Sequence, residues 1–218
     1  MTPYAVVFDL DGTLIDTMTS GPTAYVRAIR ARGGPTVTVA DITSTWHIGP
    51  TPAVLAHFLG RPCTPDDIEC FYHHFQAAVA TVQPFPGITA MLDALTHAGH
   101  PLGIVTSAAR RATTLTLTAT GLNSYFPIGI CGDEVSRPKP APEGLQRACR
   151  QLGVTTTATL YVGDADTDLQ CAASAGAHGI HATWGIPDAP LPRHPQARHP
   201  NEILTLARQP LTPPRPRD

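Results

Sequence analysis

The stretch YAVVFDLDGTLIDT, residues 4–17, decides the fold. Its first five residues are mostly apolar and run straight into two aspartates and a glycine. An apolar run of that length without polar alternation reads as a strand buried on both faces. Gly12 supplies the turn that ends it. Comparable runs recur as PLGIVTS at 101–107, FPIGIC at 126–131 and ATLYVGD at 158–164, with HGIHAT at 178–183 a weaker fifth. Helical patterns separate them at 88–98, 110–120, 141–152 and 167–175. In the first of these, Ile88, Met91, Leu92 and Leu95 share one face. Strands alternating with helices predict an α/β fold whose parallel sheet is covered on both sides.

The segment from about 17 to 84 breaks the alternation. It offers helical stretches near 19–32, 51–60 and 65–82 and no strong strand-like run, so it reads as an all-helical insertion. The chain returns from it at QPFPG, 83–87, a proline-glycine turn. Residues 187–200 carry several prolines and no periodicity, a short helix is expected at 201–208, and the closing PLTPPRPRD reads as a disordered tail.

Composition narrows the function classes. The 218 residues are 42% hydrophobic, enough for a sizeable core, and the formal charge of −2 offers no broad basic surface to nucleic acid or anionic membrane. No stretch approaches the ~18 apolar residues of a membrane span, and no cationic leader opens the chain, so a cytoplasmic protein is expected. Five cysteines, an odd number without a C-x-x-C pair, are expected to be reduced thiols. Fourteen of the 15 basic residues are arginine, leaving Lys139 as the sole lysine. High-GC codon usage accounts for the scarcity but not for the one lysine kept.

Chemistry in such sheets collects where strands end. The period of two lets Asp9 and Asp11 face one crevice, and the Gly12 N–H could hold an anion there. Two carboxylates with no basic residue beside them repel unless a cation neutralises them or one takes a proton. Asp-x-Asp-Gly also occurs in plain turns and in calcium loops, but residues 9–20 lack the regular oxygen ligands and closing glutamate of the latter. YVGDADTD adds Asp164, Asp166 and Asp168 after another strand. Asp164 and Asp168, four apart, can share a helical face. Asp168 could equally stabilise a helix N-terminus, and Asp166 reads as solvent-facing. Thr106 and Ser107 end the LGIVTS strand, as anion donors or as a helix cap. Lys139, between two prolines, offers a compact point charge.

These segments, taken in order as FDLDGTLIDT, the PFPGI turn, IVTS, GDEVSRPKPAPEGL and YVGDADTDLQCAASAG, resemble the haloacid dehalogenase superfamily, in particular its phosphoglycolate-phosphatase-like branch. The resemblance implies a Rossmann-like core over residues 1–16 and 84–208, an inserted helical cap over 17–83, and a tail at 209–218. It implies Asp9 as the nucleophile that forms an aspartyl-phosphate, and Asp11 as the acid and base for the leaving oxygen and the hydrolytic water. Mg²⁺ would be held by the Asp9 carboxylate, the Asp11 carbonyl and Asp164. Gly12, Thr106, Ser107 and Lys139 would bind the phosphoryl group, with Asp168 orienting Lys139 or a metal-bound water. Asp16 and Thr17 match the pattern at the cap hinge without a definite chemical role.

The same residues separate the relatives. Dehalogenases of the superfamily lack the second acid, so Asp11 argues for phosphate chemistry. Phosphonate-cleaving relatives need a cap lysine, and 17–84 has none. In the cap, TWHIGPTP at 45–52 resembles the substrate-specificity loop, with Trp46 and His47 as candidates to stack on or hydrogen-bond a substrate. The remaining cap aromatics read as core and its histidines as surface. The expectation is a Mg²⁺-dependent phosphatase, monomeric or homodimeric, whose partner is a small phosphorylated metabolite. The alternatives are a mutase of the β-phosphoglucomutase type and a non-catalytic binding protein on the same fold.

Overall fold

The computed structural model describes residues 4–45, 48–185 and 194–209. Six strands form one sheet: β1 (Ala5–Phe8), β2 (Leu102–Val105), β3 (Ile128–Ile130), β4 (Thr159–Gly163), β5 (His178–Ala182) and β6 (Gln196–Ala197). The order across the sheet is β3-β2-β1-β4-β5-β6, and every neighbouring pair is parallel. β1 lies at the centre, where the winding reverses direction, and its C-terminal edge opens a crevice of the kind that binds ligands in such sheets.

Alternation along the strands feeds two cores. Val6 and Phe8 of β1 point to one face with Leu102, Ile104, Leu160 and Val162, covered by α5 (Ile88–His97) and α9 (Glu202–Arg208). Val7 points to the other, with Val105, Ile130 and Tyr161, beneath α7 (Glu143–Leu152) and α8 (Asp166–Ala175). Ile88, Met91, Leu92 and Leu95 are buried as the 3.6-residue period requires.

Four helices follow β1: α1 (Ser20–Ala31), α2 (Val39–Ser44), α3 (Thr51–Leu59) and α4 (Pro65–Val79). They enclose a third cluster built on Ala28, Ile29, Leu55, Phe71 and Phe75. The chain leaves and re-enters the sheet side by side, since Ile15 forms an antiparallel bridge with Pro84 and the Phe85 N–H donates to the Leu14 carbonyl at 3.0 Å. One more helix, α6 (Arg110–Thr120), follows β2 and presents Ala112 and Leu115 to the third cluster.

Two elements depart from the sequence reading. α2 lies in a stretch without helical periodicity, and what marks it is the reciprocal capping box of Thr38 and Asp41. β6 falls within the proline-rich 187–200 stretch and is only two residues long, paired with His181 and Ala182. The five cysteines are free, with Cys131, Cys149 and Cys171 buried. No helix among the described residues is long and apolar enough to cross a membrane.

Candidate active site

The carboxyl ends of four strands converge. Asp9 and Asp11 follow β1, Thr106 follows β2, Lys139 lies in the loop between β3 and α7, and Asp164 follows β4. Lys139 Nζ donates to Asp9 Oδ1 at 2.7 Å and to Asp168 Oδ1 at 2.6 Å, and only 7% of its side chain is exposed. Oxygens of Asp9, Asp164 and Asp168 lie within 4.8 Å of one another. Asp164 precedes α8 rather than sharing its face, so tertiary packing brings these groups together where helical spacing does not.

Small residues make the approach possible. Gly12 has φ +83°, and a Cβ there would stand 2.5 Å from Asp164 Oδ2. The conformation and the proximity therefore both require glycine. Contrary to expectation, the Gly12 N–H does not stand free for an anion: it donates to the Ile15 carbonyl at 2.8 Å. Thr13 Oγ1 holds Asp164 Oδ1 at 2.8 Å, and Trp184 Nε1 in turn donates to the Thr13 carbonyl at 2.7 Å. Gly163 leaves room for the Asp168 carboxylate against its Cα. Asp168 Oδ2 accepts the Ala165 N–H at 3.1 Å, so this residue both caps α8 and binds Lys139.

The electrostatics are one-sided. Four carboxylates, Asp9, Asp11, Asp164 and Asp168, face one ammonium. Burial, and then the Asp168 charge, push the Asp9 carboxyl well above its usual range against the pull of Lys139. Burial also raises Asp11, opposed by a 2.5 Å hydrogen bond from Thr17 Oγ1. Burial raises Asp164, opposed by Thr13. For Lys139 burial works against the charge, but Asp9 and then Asp168 outweigh it and hold the ammonium above the ordinary lysine range. Burial thus raises both carboxyls, and what distinguishes Asp9 from Asp11 is the partner: Asp9 is paired with the Lys139 ammonium and Asp11 with the Thr17 hydroxyl.

Thr106 is buried, and its Oγ1 accepts the Ala108 N–H at 3.0 Å while its hydroxyl also supports Asp11. α6 is capped by neither Thr106 nor Ser107, because its N-cap is Ala109. Ser107 is exposed, and its carbonyl packs on Gly132, whose N–H donates to the Ala108 carbonyl at 2.9 Å. Asp166 is solvent-facing, as read, and Asp16 is exposed. Thr17, without a role in the sequence reading, is the partner of Asp11. Trp46 and His47, like the tail from residue 210, lie outside the described residues. Thr13, Tyr161 and His181 escaped the sequence reading: nothing local marks the threonine that meets the Asp164 carboxylate 151 positions away, or the strand residues whose side chains reach the Val105 and Asp164 carbonyls.

The donor set suits a hard divalent cation. All the candidate donors are oxygens, and Asp164 Oδ2 is pressed against the bare Cα of Gly12 beside the cluster. Asp168 contributes less, since both its oxygens already accept hydrogen bonds.

Residues 6–182 match the family described as haloacid dehalogenase-like hydrolase. A phosphoglycolate phosphatase of Xylella fastidiosa (strain 9a5c) is 34% identical over 186 residues, covering 84% of this chain and 81% of that protein. A probable phosphatase, IndB, of Dickeya dadantii (strain 3937) is 34% identical over 188 residues, covering 83% and 81%. The crystal structure of a HAD-superfamily hydrolase from Geobacter sulfurreducens superposes with a TM-score of 0.70 at 27% identity, over 94% of this chain and 96% of that one.

Proposed function

The chain belongs to the haloacid dehalogenase-like hydrolases, and on that premise we propose that it is a phosphatase that hydrolyses a small organic phosphomonoester through an aspartyl-phosphate. One observation carries the reading: Lys139, the sole lysine, is buried between Asp9 and Asp168 at a strand edge crowded with carboxylates. Phosphoglycolate, the substrate in the name of the Xylella fastidiosa relative, is the first candidate.

Asp9 attacks phosphorus; the P–O bond to the leaving group breaks as the new P–O bond forms, and the Asp9 carboxylate carries the phosphoryl group. Asp11, raised by burial and positioned by Thr17, gives its proton to the leaving oxygen, then takes one from the water that hydrolyses the acyl-phosphate. Lys139 places positive charge against the equatorial oxygens, and Thr106 and Ser107 flank the same position. Asp9, the Asp11 carbonyl and Asp164 would hold Mg²⁺, which when bound offsets the negative charge of the transferring group. Residues 17–83, with their own apolar cluster and paired connections at Ile15 and Pro84, act as the cap that excludes water and selects the leaving group.

Release of inorganic phosphate from a panel of phosphometabolites tests this. Turnover is expected with Mg²⁺ and without any bisphosphate activator, abolished by EDTA and poorly supported by Ca²⁺. Asp9→Asn should lose at least ~10³-fold in kcat, the scale reached when a covalent nucleophile is removed, with the fold intact by circular dichroism. Full activity in Asp9→Asn refutes the mechanism. An absolute need for a bisphosphate would make the protein a mutase instead.

A further inference from the structure

Among the described residues, Tyr161 heads the large side chains that are completely buried, and the mechanism above makes no use of it. It lies on β4 among Val7, Val105, Ile130, Leu145 and Cys171, an apolar setting that phenylalanine would fill equally well. Burying a hydroxyl costs free energy unless it is hydrogen-bonded, so the phenol oxygen calls for a purpose. It stands 2.9 Å from the Val105 carbonyl and 3.1 Å from Asp168 Oδ1. Val105 is the residue before Thr106. Asp168 Oδ1 is the same oxygen that takes the Lys139 ammonium at 2.6 Å.

Both neighbours of the hydroxyl are acceptors only, the phenol has one proton to offer, and neither neighbour can donate to it. Burial, with Asp168 and Asp9 behind it, pushes the phenol well above its usual range, so it remains a donor. The Ala165 N–H fixes the other oxygen of Asp168 at 3.1 Å, and the bare Cα of Gly163 lets the carboxylate settle over the strand. Asp168 is thus contacted from three sides, by Ala165, Tyr161 and Lys139, and the one phenol proton is shared between Asp168 Oδ1 and the Val105 carbonyl beside Thr106.

Resting on the reading of Asp9 and Lys139 given above, we infer that Tyr161 is a positioning residue for phosphoryl transfer: its hydroxyl orients the Asp168 carboxylate, which sets how the Lys139 ammonium is shared with Asp9. The sequence supplies the probe. Because Lys139 is the only lysine, protein grown with ¹³Cε-lysine gives a single Cε–Hε cross-peak that reports this ammonium directly.

Tyr161→Phe removes the hydroxyl and nothing else. The lysine cross-peak is expected to move by more than its line width, with or without Mg²⁺. With p-nitrophenyl phosphate and Mg²⁺, kcat should fall three- to tenfold while KM changes less than twofold and Tm stays within a few degrees. Tyr161→Met, also without a hydroxyl, should move the cross-peak as well. An unmoved cross-peak in both variants overturns the inference, as does an unchanged kcat. A kcat loss that tracks a fall in Tm, with the lysine signal unmoved, assigns Tyr161 to packing. A wild-type protein without phosphatase activity refutes the functional reading instead, and the cross-peak still tests the contact.

Discussion

Asp9 and Asp67 are both buried, and their surroundings are opposite. Asp67, on the first turn of α4, accepts Arg61 Nη1 at 2.6 Å, Arg61 Nη2 at 2.9 Å and Arg32 Nε at 2.6 Å, together with the Thr64 N–H and hydroxyl. Two cations serve one carboxylate there. Led by the Arg61 hydrogen bonds, this set holds the carboxyl far below its ordinary range despite desolvation. At the sheet edge one ammonium serves four carboxylates, and Asp9 is pushed the other way. What separates the two carboxylates is local charge stoichiometry, since burial is common to both. The cap cluster is complete in itself, whereas the sheet-edge cluster is left with surplus charge for a cation and a proton to meet.

The largest effect on stability should come from breaking the complete cluster. Asp67→Ala removes the N3 half of the α4 capping box and the acceptor of two arginines, and is expected to lower unfolding stability by about 2–4 kcal/mol in urea titrations, chiefly from lost charge-assisted hydrogen bonds. Because the folded carboxyl lies below its unfolded value, its contribution is full above about pH 3.9 and is lost as pH falls through and below that value. The variant should therefore show a shallower acid limb than wild type. Equal acid limbs would erase the distinction between the two aspartates.

The incomplete cluster should respond in kcat instead. Lys139→Arg keeps the charge but replaces a compact ammonium with a planar fork that cannot occupy the same point between Asp9 and Asp168. A loss of at least ~10-fold in kcat is expected, about 1.4 kcal/mol in the barrier, with Tm little changed. Wild-type rates in Lys139→Arg would make the retained lysine incidental.

Much of this was legible because the signals are local. The runs at 4–8, 101–107 and 158–164 lead directly to Asp9, Thr106 and Asp164, and the motif order resembled the family before any contact was known. The sole lysine stood out by scarcity. What escaped depends on packing across the chain. The Asp67 cluster needs Arg32, some 35 positions away, and only the Thr64-x-x-Asp67 box hinted at it. Gly12 was read as the glycine of the turn, which its φ of +83° bears out, but its N–H is spent inside that turn, which the spacing could not show. Tyr161 looked like one more β-forming core residue, and only the β2–β4 geometry reveals its hydroxyl beneath Asp168.

Between the two clusters lies a contact of a third kind, and it should give the smallest effect. Arg111, on the first turn of α6, pairs with Glu69 of α4 and lies 4.1 Å over the Tyr72 ring. Its neighbour Arg110 turns instead to Glu134, in the loop after β3. The first turn of α6 therefore touches α4 on one side and the loop leading to Lys139 on the other. The Arg111 side chain is 48% exposed and that of Glu69 66%, so water and salt screen the pair. If residues 17–83 act as the proposed cap, this exposed pair is a contact that yields on opening more easily than a buried one. Arg111→Gln should raise KM two- to threefold at low ionic strength, leave kcat and urea stability unchanged, and approach wild type above about 0.5 M salt, where screening acts within a few ångströms. A loss of stability on the scale of Asp67→Ala would place this contact with the structural cluster and remove the gradation.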